Sequence, residues 1–474
     1  MKQDLIYYLQ QQIRNTSERL LRFTHDLSGN QYPVRLMYGE LSPYIKDFLD
    51  KKSNNSMVIM PGFRGVGKTT LMAQLCTEFK SQVKHSLFVS IEDVKNLFDV
   101  GIAELLVAYE DIIGIHLENL KEPLLIFLDE IQMDLQWAST LKSLFEKTRY
   151  IFFCCTGSSA VILQTTTNLA RRAIFKTLPP MNFTEYQMVK NNIKPVVELN
   201  EKIQQAIYFS KNSDEVFKGL TALKSSVNAY WTNIDRMDIK RFFSYGTLPF
   251  ALTMPNEVAI YDSISLLLDK IIKIDLPTLG HFTIETLNMV KRLLFVIAEN
   301  DVTSLATLEK IFSMSRHTIA SILDALEKAE VLIKVPAYGS NMSVAKKAHK
   351  YLFMSPAIRM TFFYMTGLES TYLTRQGKLL EDIVGAQLYR DFILKGQGAI
   401  RYDSEEGGAD FILQILNHKQ IIMEVGVGDK DKKQVVSSMK KINSDYNLIF
   451  SSSPLKIEKE AKIVFIPLDF FLLL

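Results

Sequence analysis

The sequence predicts an α/β protein built first on a parallel sheet, and three observations predict it. Residues 56–60, 124–128 and 150–155 are continuous apolar runs, SMVIM, LLIFL and YIFFCC, the pattern of strands buried on both faces. The first runs into PGFRGVGKTT and then TLMAQLCTEF, a strand–glycine loop–helix succession. The second ends in two adjacent acids, Asp129 and Glu130.

The loop carries the most specific chemistry. Gly62, Gly67, Lys68 and Thr69 satisfy the spacing GxxxxGK[ST] of a phosphate-binding loop. Glycines let the backbone approach a phosphate closely, and the amides of residues 63–68 can wrap it. The helix that follows points its positive end at the same phosphates. The candidate nucleotide-binding residues are therefore Gly62, Arg64, Gly65, Val66, Gly67, Lys68, Thr69 and Thr70. Lys68 would bridge the β- and γ-phosphates, and the Thr69 hydroxyl would ligate Mg²⁺.

The second apolar run supplies the other half of such a site. Asp129, at its carboxyl end, can hold the Mg²⁺ shell, and Glu130 stands where a general base would polarise water. HSLFVSIED (85–93) is a neighbouring strand, and YIFFCCTGSS (150–159) another, ending in hydroxyls that can sense a γ-phosphate. Thr156, Ser158 and Ser159 are the candidates, with Ser158 preferred. Arg171 and Arg172 in NLARRAIF are candidate arginine fingers, in cis or toward a neighbouring subunit, and equally ordinary surface arginines. A finger acting in trans would require an oligomer.

Composition narrows the setting. A chain of 474 residues exceeds what one core supports, and about three domains are expected. Hydrophobic content of 47% and charged content of 23% describe a globular protein. A formal charge of +3 gives no global signal for nucleic acid, although a local basic face is compatible with it. The three cysteines, Cys76, Cys154 and Cys155, lack zinc-ligand spacing and fit a reducing compartment. Cys154 and Cys155 lie in an apolar run and read as buried strand residues. The amino-terminal MKQDLIYYLQQQ has no apolar core of a secretion signal, and no run of ~18 apolar residues suggests a membrane span. A cytoplasmic location is the expectation.

Together these motifs resemble the bacterial and archaeal AAA-type P-loop ATPases that carry a winged helix and a C-terminal domain related to restriction nucleases. The resemblance rests on GFRGVGKTTLM, on FLDEIQ with Trp137 nearby, on CTGSSA, and on LARR followed by LPPMNFTEY. It continues in FFSYGTLPFAL (242–252) and LLLDKIIKIDL (266–276). It implies ATP with Mg²⁺; the adenine preference comes from the resemblance alone. Where the family usually has Gly-Arg, this chain has Ala170-Arg171, leaving Arg171 and Arg172 both open as the finger.

The later segments divide as follows: 1–34 an N-terminal helical segment, 35–190 the ATPase core, 191–284 a helical lid or linker, 285–365 a winged helix, and 366–474 a nuclease-like domain. Residues 285–335 carry three amphipathic helices, the third N-capped by Ser315, and 331–353 read as a hairpin with a Gly-Ser-Asn tip. Helix–helix–helix–hairpin is the winged-helix order. Arg316 and His317 open the third helix, but Asp324, Glu327 and Glu330 would repel phosphates. The wing lysines Lys346, Lys347 and Lys350 suit DNA better; a protein-docking role is the alternative.

In the last segment Asp410 precedes FILQIL and Glu424 ends IIME. Two strand acids, helped by Glu381, can hold Mg²⁺ beside a scissile phosphate. This resembles the PD-(D/E)xK nuclease core, in which a lysine stands two residues after the second acid. That position is Gly426, and Lys430, Lys432 and Lys433 are the available substitutes. Three functions follow: an ATP-hydrolysing switch engaging DNA or a protein, an ATP-regulated DNA nuclease, or a non-hydrolysing nucleotide-bound docking protein.

Overall fold

The computed structural model describes residues 2–158, 169, 171–300, 302–340, 347–367, 372–416 and 419–474. Ser159, Lys346, Ala170 and Asn341 of the expected hairpin tip lie outside them. The chain forms two compact units, Met1–Pro179 and Pro180–Leu474.

The first unit is organised around five parallel strands, β1 (Met57–Pro61), β2 (His85–Ser90), β3 (Leu124–Asp129), β4 (Ile151–Gly157) and β5 (Ile174–Phe175). Their order across the sheet is β2-β3-β4-β1-β5. Every residue of β1, β3 and β4 is buried, which is why those stretches read as continuous apolar runs. Cys154 and Cys155 are free, buried residues of β4, and Cys76 is likewise free and buried. Burial raises all three thiols above their ordinary range, Cys76 to about 12, so none is poised as a thiolate. Trp137 begins helix 137–147 and is 1% exposed in the core beneath the sheet. Leu5 and Leu9 of the first helix lie in that same core.

The second unit begins with helices and ends in two sheets. Phe183, Glu185 and Tyr186 of the FTEY stretch are buried. Tyr186 and the rest of its helix meet a hub at Asp238, whose carboxylate accepts hydrogen bonds from Tyr186, Gln187, Lys190, Asn191 and Arg241. Helices Ile284–Glu299, Leu305–Phe312 and Arg316–Lys328 follow, each opened by a Thr or Ser side chain that accepts an amide of its first turn. Ser315 fills this role before the third helix, as its sequence position predicts. The associated strands are β6 (Val302–Thr303), β7 (Leu332–Val335) and β8 (His349–Phe353), antiparallel in the order β6-β8-β7.

The final sheet contains β9 (Gly398–Arg401), β10 (Phe411–Ile415), β11 (Lys419–Val425), β12 (Tyr446–Ser451), β13 (Lys456–Glu458) and β14 (Ile463–Pro467). Its order is β13-β14-β12-β11-β10-β9. β9, β10 and β11 form an antiparallel meander, whereas β11, β12 and β14 run parallel. The parallel β11–β12 step needs a crossover, and helix Lys433–Met439 lies within it. No helix among the described residues is long and apolar enough to cross a membrane.

Candidate functional site

The loop between β1 and helix Lys68–Phe79 leaves the carboxyl edge of the parallel sheet, where open α/β sheets bind ligands. Gly65 and Gly67 take φ of +83° and +90°, a region that favours glycine. Lys68 is buried and donates to the loop carbonyls of Gly62 at 2.8 Å and Phe63 at 3.1 Å. Arg35 braces the loop from outside by donating to the Val66 carbonyl at 2.9 Å.

The acids of β3 face this loop. Thr69 Oγ1 donates to Asp129 Oδ2 at 2.8 Å, so the hydroxyl and carboxylate expected to share a Mg²⁺ shell do converge. Burial, then the neighbouring Glu130, raises the Asp129 carboxyl above its ordinary range. Glu130 leaves the strand at φ +57°, and this left-handed step turns its side chain out of the strand alternation. Its carboxylate meets Gln132 Nε2 and lies 3.7 Å from Arg64 Nη1.

β4 adds a residue whose importance the sequence left open among three hydroxyls. Thr156 Oγ1 donates to Asp129 Oδ1 and accepts the Glu130 amide at 3.2 Å. Ser158, the preferred candidate in the sequence, is buried, and its Oγ has no hydrogen-bond partner among the described residues. The two hydroxyls therefore occupy different positions: Thr156 links the acids, and Ser158 is one residue beyond the strand with an open valence. Arg172 donates to Glu146 at 2.7 Å, and Arg171 is exposed.

The second group of predicted residues gathers at the β10–β11 edge. Asp410 Oδ2 accepts the Val425 amide at 3.0 Å, and Glu424 stands at the end of the adjacent strand with its side chain fully buried. Burial, then Asp410, raises the Glu424 carboxyl to about 8. Lys430 Nζ contacts Glu424 Oε1 at 2.6 Å, while Glu424 Oε2 is buried without a hydrogen-bond partner among the described residues. Of the three substitute lysines, Lys432 pairs with Glu458 and Lys433 with Asp431; only Lys430 turns toward the acids. A Cβ at Gly426 would fall 2.7 and 2.9 Å from Lys430 Cγ and Cδ. The missing side chain at 426 is thus the space through which Lys430 reaches Glu424.

Lys350 corrects a reading of the sequence. Expected on a solvent-facing wing, it is 4% exposed, and its ammonium pairs with Glu381 and, at 3.3 Å, with Asp410. Alternation along β8 turns it inward, so it is not a phosphate contact; Lys347 is exposed. Arg316 pairs with Glu309 at 2.7 Å, and His317 is exposed. Among the described residues, no group of three or more His, Cys, Asp or Glu is arranged to hold a metal.

Comparison with known proteins places this geometry in a family. Residues 54–187 match the family model described as AAA domain. The uncharacterised protein MJ1637 of Methanocaldococcus jannaschii is 32% identical over 471 residues, covering 98% of this chain and 93% of the relative. The chain belongs to the MJ1637 family. A second protein of that organism, MJ1544, is 21% identical over 85% of this chain and 82% of its own length. Like its AAA segment, the five-stranded parallel sheet with its phosphate loop is that of a P-loop ATPase. Among solved structures, the Thermotoga maritima RuvB Holliday junction branch migration motor is 13% identical, with a TM-score of 0.28, over 63% of this chain and 89% of that one. Caenorhabditis elegans PCH-2 is 21% identical, with a TM-score of 0.24, over 35% of this chain and 46% of that one. Scores this low carry no shared overall architecture.

Proposed function

We propose that this MJ1637-family chain is a Mg²⁺-dependent ATP hydrolase that uses nucleotide state as a switch. The observation that carries the reading is the Thr69–Asp129–Thr156–Glu130 chain of contacts at the mouth of the phosphate loop. Bound Mg²⁺ would neutralise phosphate charge, and Thr69 and Asp129 are the residues that would hold it. Lys68 is released from the Gly62 and Phe63 carbonyls to meet the β- and γ-phosphates. Glu130 orients the attacking water and takes its proton, Thr156 keeps Glu130 in register with Asp129, and Ser158 offers its open hydroxyl to the γ-phosphate. Arg171 or Arg172 serves as the finger, from the same subunit or a neighbour.

The output is the second unit, read as a lid (191–284), a winged helix (285–365) and a nuclease-like domain (366–474) that together engage DNA or a protein partner. Purified protein is expected to hydrolyse ATP with Mg²⁺, with turnover lost in Lys68→Ala and Glu130→Gln. Normal turnover in Glu130→Gln would sink the assignment of the base, and nucleotide binding without hydrolysis in the wild type would leave only a docking protein.

A second reading, an ATP-regulated DNA nuclease, is favoured by one specific observation: Lys430 fills the space beside Gly426 and contacts Glu424. Glu424 Oε2 has no hydrogen-bond partner among the described residues, and Asp410 raises the Glu424 carboxyl beside it. Plasmid and linear DNA left intact with Mg²⁺ or Mn²⁺, with and without ATP, would exclude this reading.

A further inference from the structure

A cavity of about 460 Å³ lies in the first unit, where the amino-terminal helices close over β2, the edge strand of the parallel sheet. Helix Lys2–Arg14 packs on helix Ile102–Ile113, and helix Thr16–Thr24 packs on helix Lys68–Phe79. The chain changes partner at Asn15, between the two amino-terminal helices. Ile13, Thr16 and Ser17, on either side of that break, line the cavity. Its volume is that of a small-molecule site.

The cavity stands away from the phosphate loop. β2 runs from His85, in the cavity wall, to Ser90, which pairs with Asp129, and a strand of this length spans about 16 Å. Helix Lys68–Phe79 begins at the phosphate loop and hands the chain to Lys80, also in the wall. That helix separates its two ends by about 18 Å.

The walls suit a negative charge beside an apolar body. Lys80 and Lys84 bring two ammonium groups, and neither pairs with a carboxylate among the described residues. No acid lines the cavity. Glu18, Glu110 and Asp111, on the flanking helices, turn instead to Arg22, the Leu117 amide and Lys2. Lys80 Nζ donates to Ser17 Oγ at 2.6 Å, which holds the ammonium in the wall. Ile112 and Ile113, from the last turn of their helix, join Ile13 as the apolar side.

Two enclosed polar groups lack partners here. Tyr109 is 1% exposed and lines the cavity, and its hydroxyl makes no hydrogen bond to a described residue. Burial raises that hydroxyl above its ordinary range, so it stays a neutral O–H donor. His85 Nε2 is buried without a hydrogen-bond partner among the described residues. Buried polar groups are ordinarily paired. A phosphate monoester answers both needs, with charge for the lysines and several acceptor oxygens for the hydroxyls.

We propose that this cavity is a second anion site, separate from the phosphate loop, that takes a small phosphate monoester. Lys80, Lys84 and Tyr109 receive the phosphate, and Ile13, Ile112 and Ile113 receive the apolar body of the ligand.

The test is calorimetric titration of 1-naphthyl phosphate into the full chain, with the phosphate loop saturated by ADP and Mg²⁺. One saturable site in the millimolar range or tighter is expected. Lys84→Glu, at an exposed position, and Lys80→Ala should each weaken it at least about tenfold. Tyr109→Phe, which removes only the hydroxyl, should weaken it several-fold with a melting temperature near wild type. 1-Naphthol, which lacks the charge, should bind at least about tenfold more weakly than the phosphate. Lys68→Ala should lose ATP turnover and keep the probe, so failure of the ATPase reading and failure of this site are separate results. No saturable binding overturns the proposal, as does binding that Lys80→Ala and Lys84→Glu both leave unchanged. Displacement of the probe by a single-stranded oligonucleotide also overturns it, because the lysines would then serve a nucleic-acid backbone.

Discussion

Thr156→Val is the sharpest probe of the nucleotide site, because it removes one hydroxyl and keeps the shape of the side chain. That hydroxyl donates to Asp129 Oδ1 and accepts the Glu130 amide at 3.2 Å. A hydrogen bond to a charged group is worth about 1.5–3 kcal/mol, and a buried amide left unpaired costs about 1–3 kcal/mol. The two overlap through one atom, so a loss of about 2–4 kcal/mol in unfolding free energy is expected, read from urea denaturation. Glu130 sits at a left-handed φ of +57°, and the Thr156 hydroxyl holds its amide at 3.2 Å, so losing that hydroxyl shifts the base. Misplacement of that kind lowers turnover on the order of a hundredfold. Thr156→Ser should recover both properties. Ser158→Ala should leave stability near wild type, since its Oγ has no partner to lose, while lowering turnover. Wild-type stability and wild-type ATP turnover in Thr156→Val would refute the relay.

Asp238 gives a prediction in pH. Burial works to raise its carboxyl, but hydrogen bonds from Lys190, Arg241 and Asn191 outweigh it and hold the group at about 2, against 3.8 ordinarily. A depressed carboxyl stabilises the fold above its unfolded value and loses that contribution as pH falls through about 2. The contribution is about 2.5 kcal/mol, so Asp238→Asn should melt lower at neutral pH and show a flatter acid limb; an unchanged acid limb would count against the hub. Arg359→Met should cost about 3–5 kcal/mol, because Arg359 and Asp382 are both fully buried and paired at 2.6 Å. Adding Asp382→Leu should recover only part of this, since Asp382 Oδ1 also accepts the Phe353 amide at 2.9 Å; full additivity of the two losses in urea melts would contradict the pairing.

What could be read from the sequence was local in the chain. The phosphate loop, the Asp129–Glu130 strand end and the Ser315 cap each fit within a dozen residues, and each signals itself through spacing, burial pattern or a capping side chain. Thr156 was harder, because three hydroxyls in CTGSS are chemically alike and only the β3–β4 register brings one of them onto Asp129. Arg64 reads as a phosphate-loop residue facing the nucleotide, and its spacing says nothing of Glu130, whose carboxylate lies 3.7 Å from its guanidinium.

The acid site was legible as a set of letters and illegible as an arrangement. Asp410 and Glu424 follow from strand ends, and Gly426 reads as a missing lysine. What a sequence spacing cannot express is that a glycine can position a lysine four residues away by yielding its volume, as it does for Lys430. Nor can it express that Lys350, in a stretch whose charge suggests a phosphate contact, is turned by strand alternation into a neighbouring layer and onto Glu381 and Asp410. Both lysines were visible; Lys430 was one of three candidates that spacing could not separate, and Lys350 was read outward where the structure turns it inward. Direction is set by pleat and packing, which belong to the fold. The charge arrangement of this cluster, two lysines against Glu381, Asp410 and Glu424, therefore exists only once the two sheets of the second unit have formed.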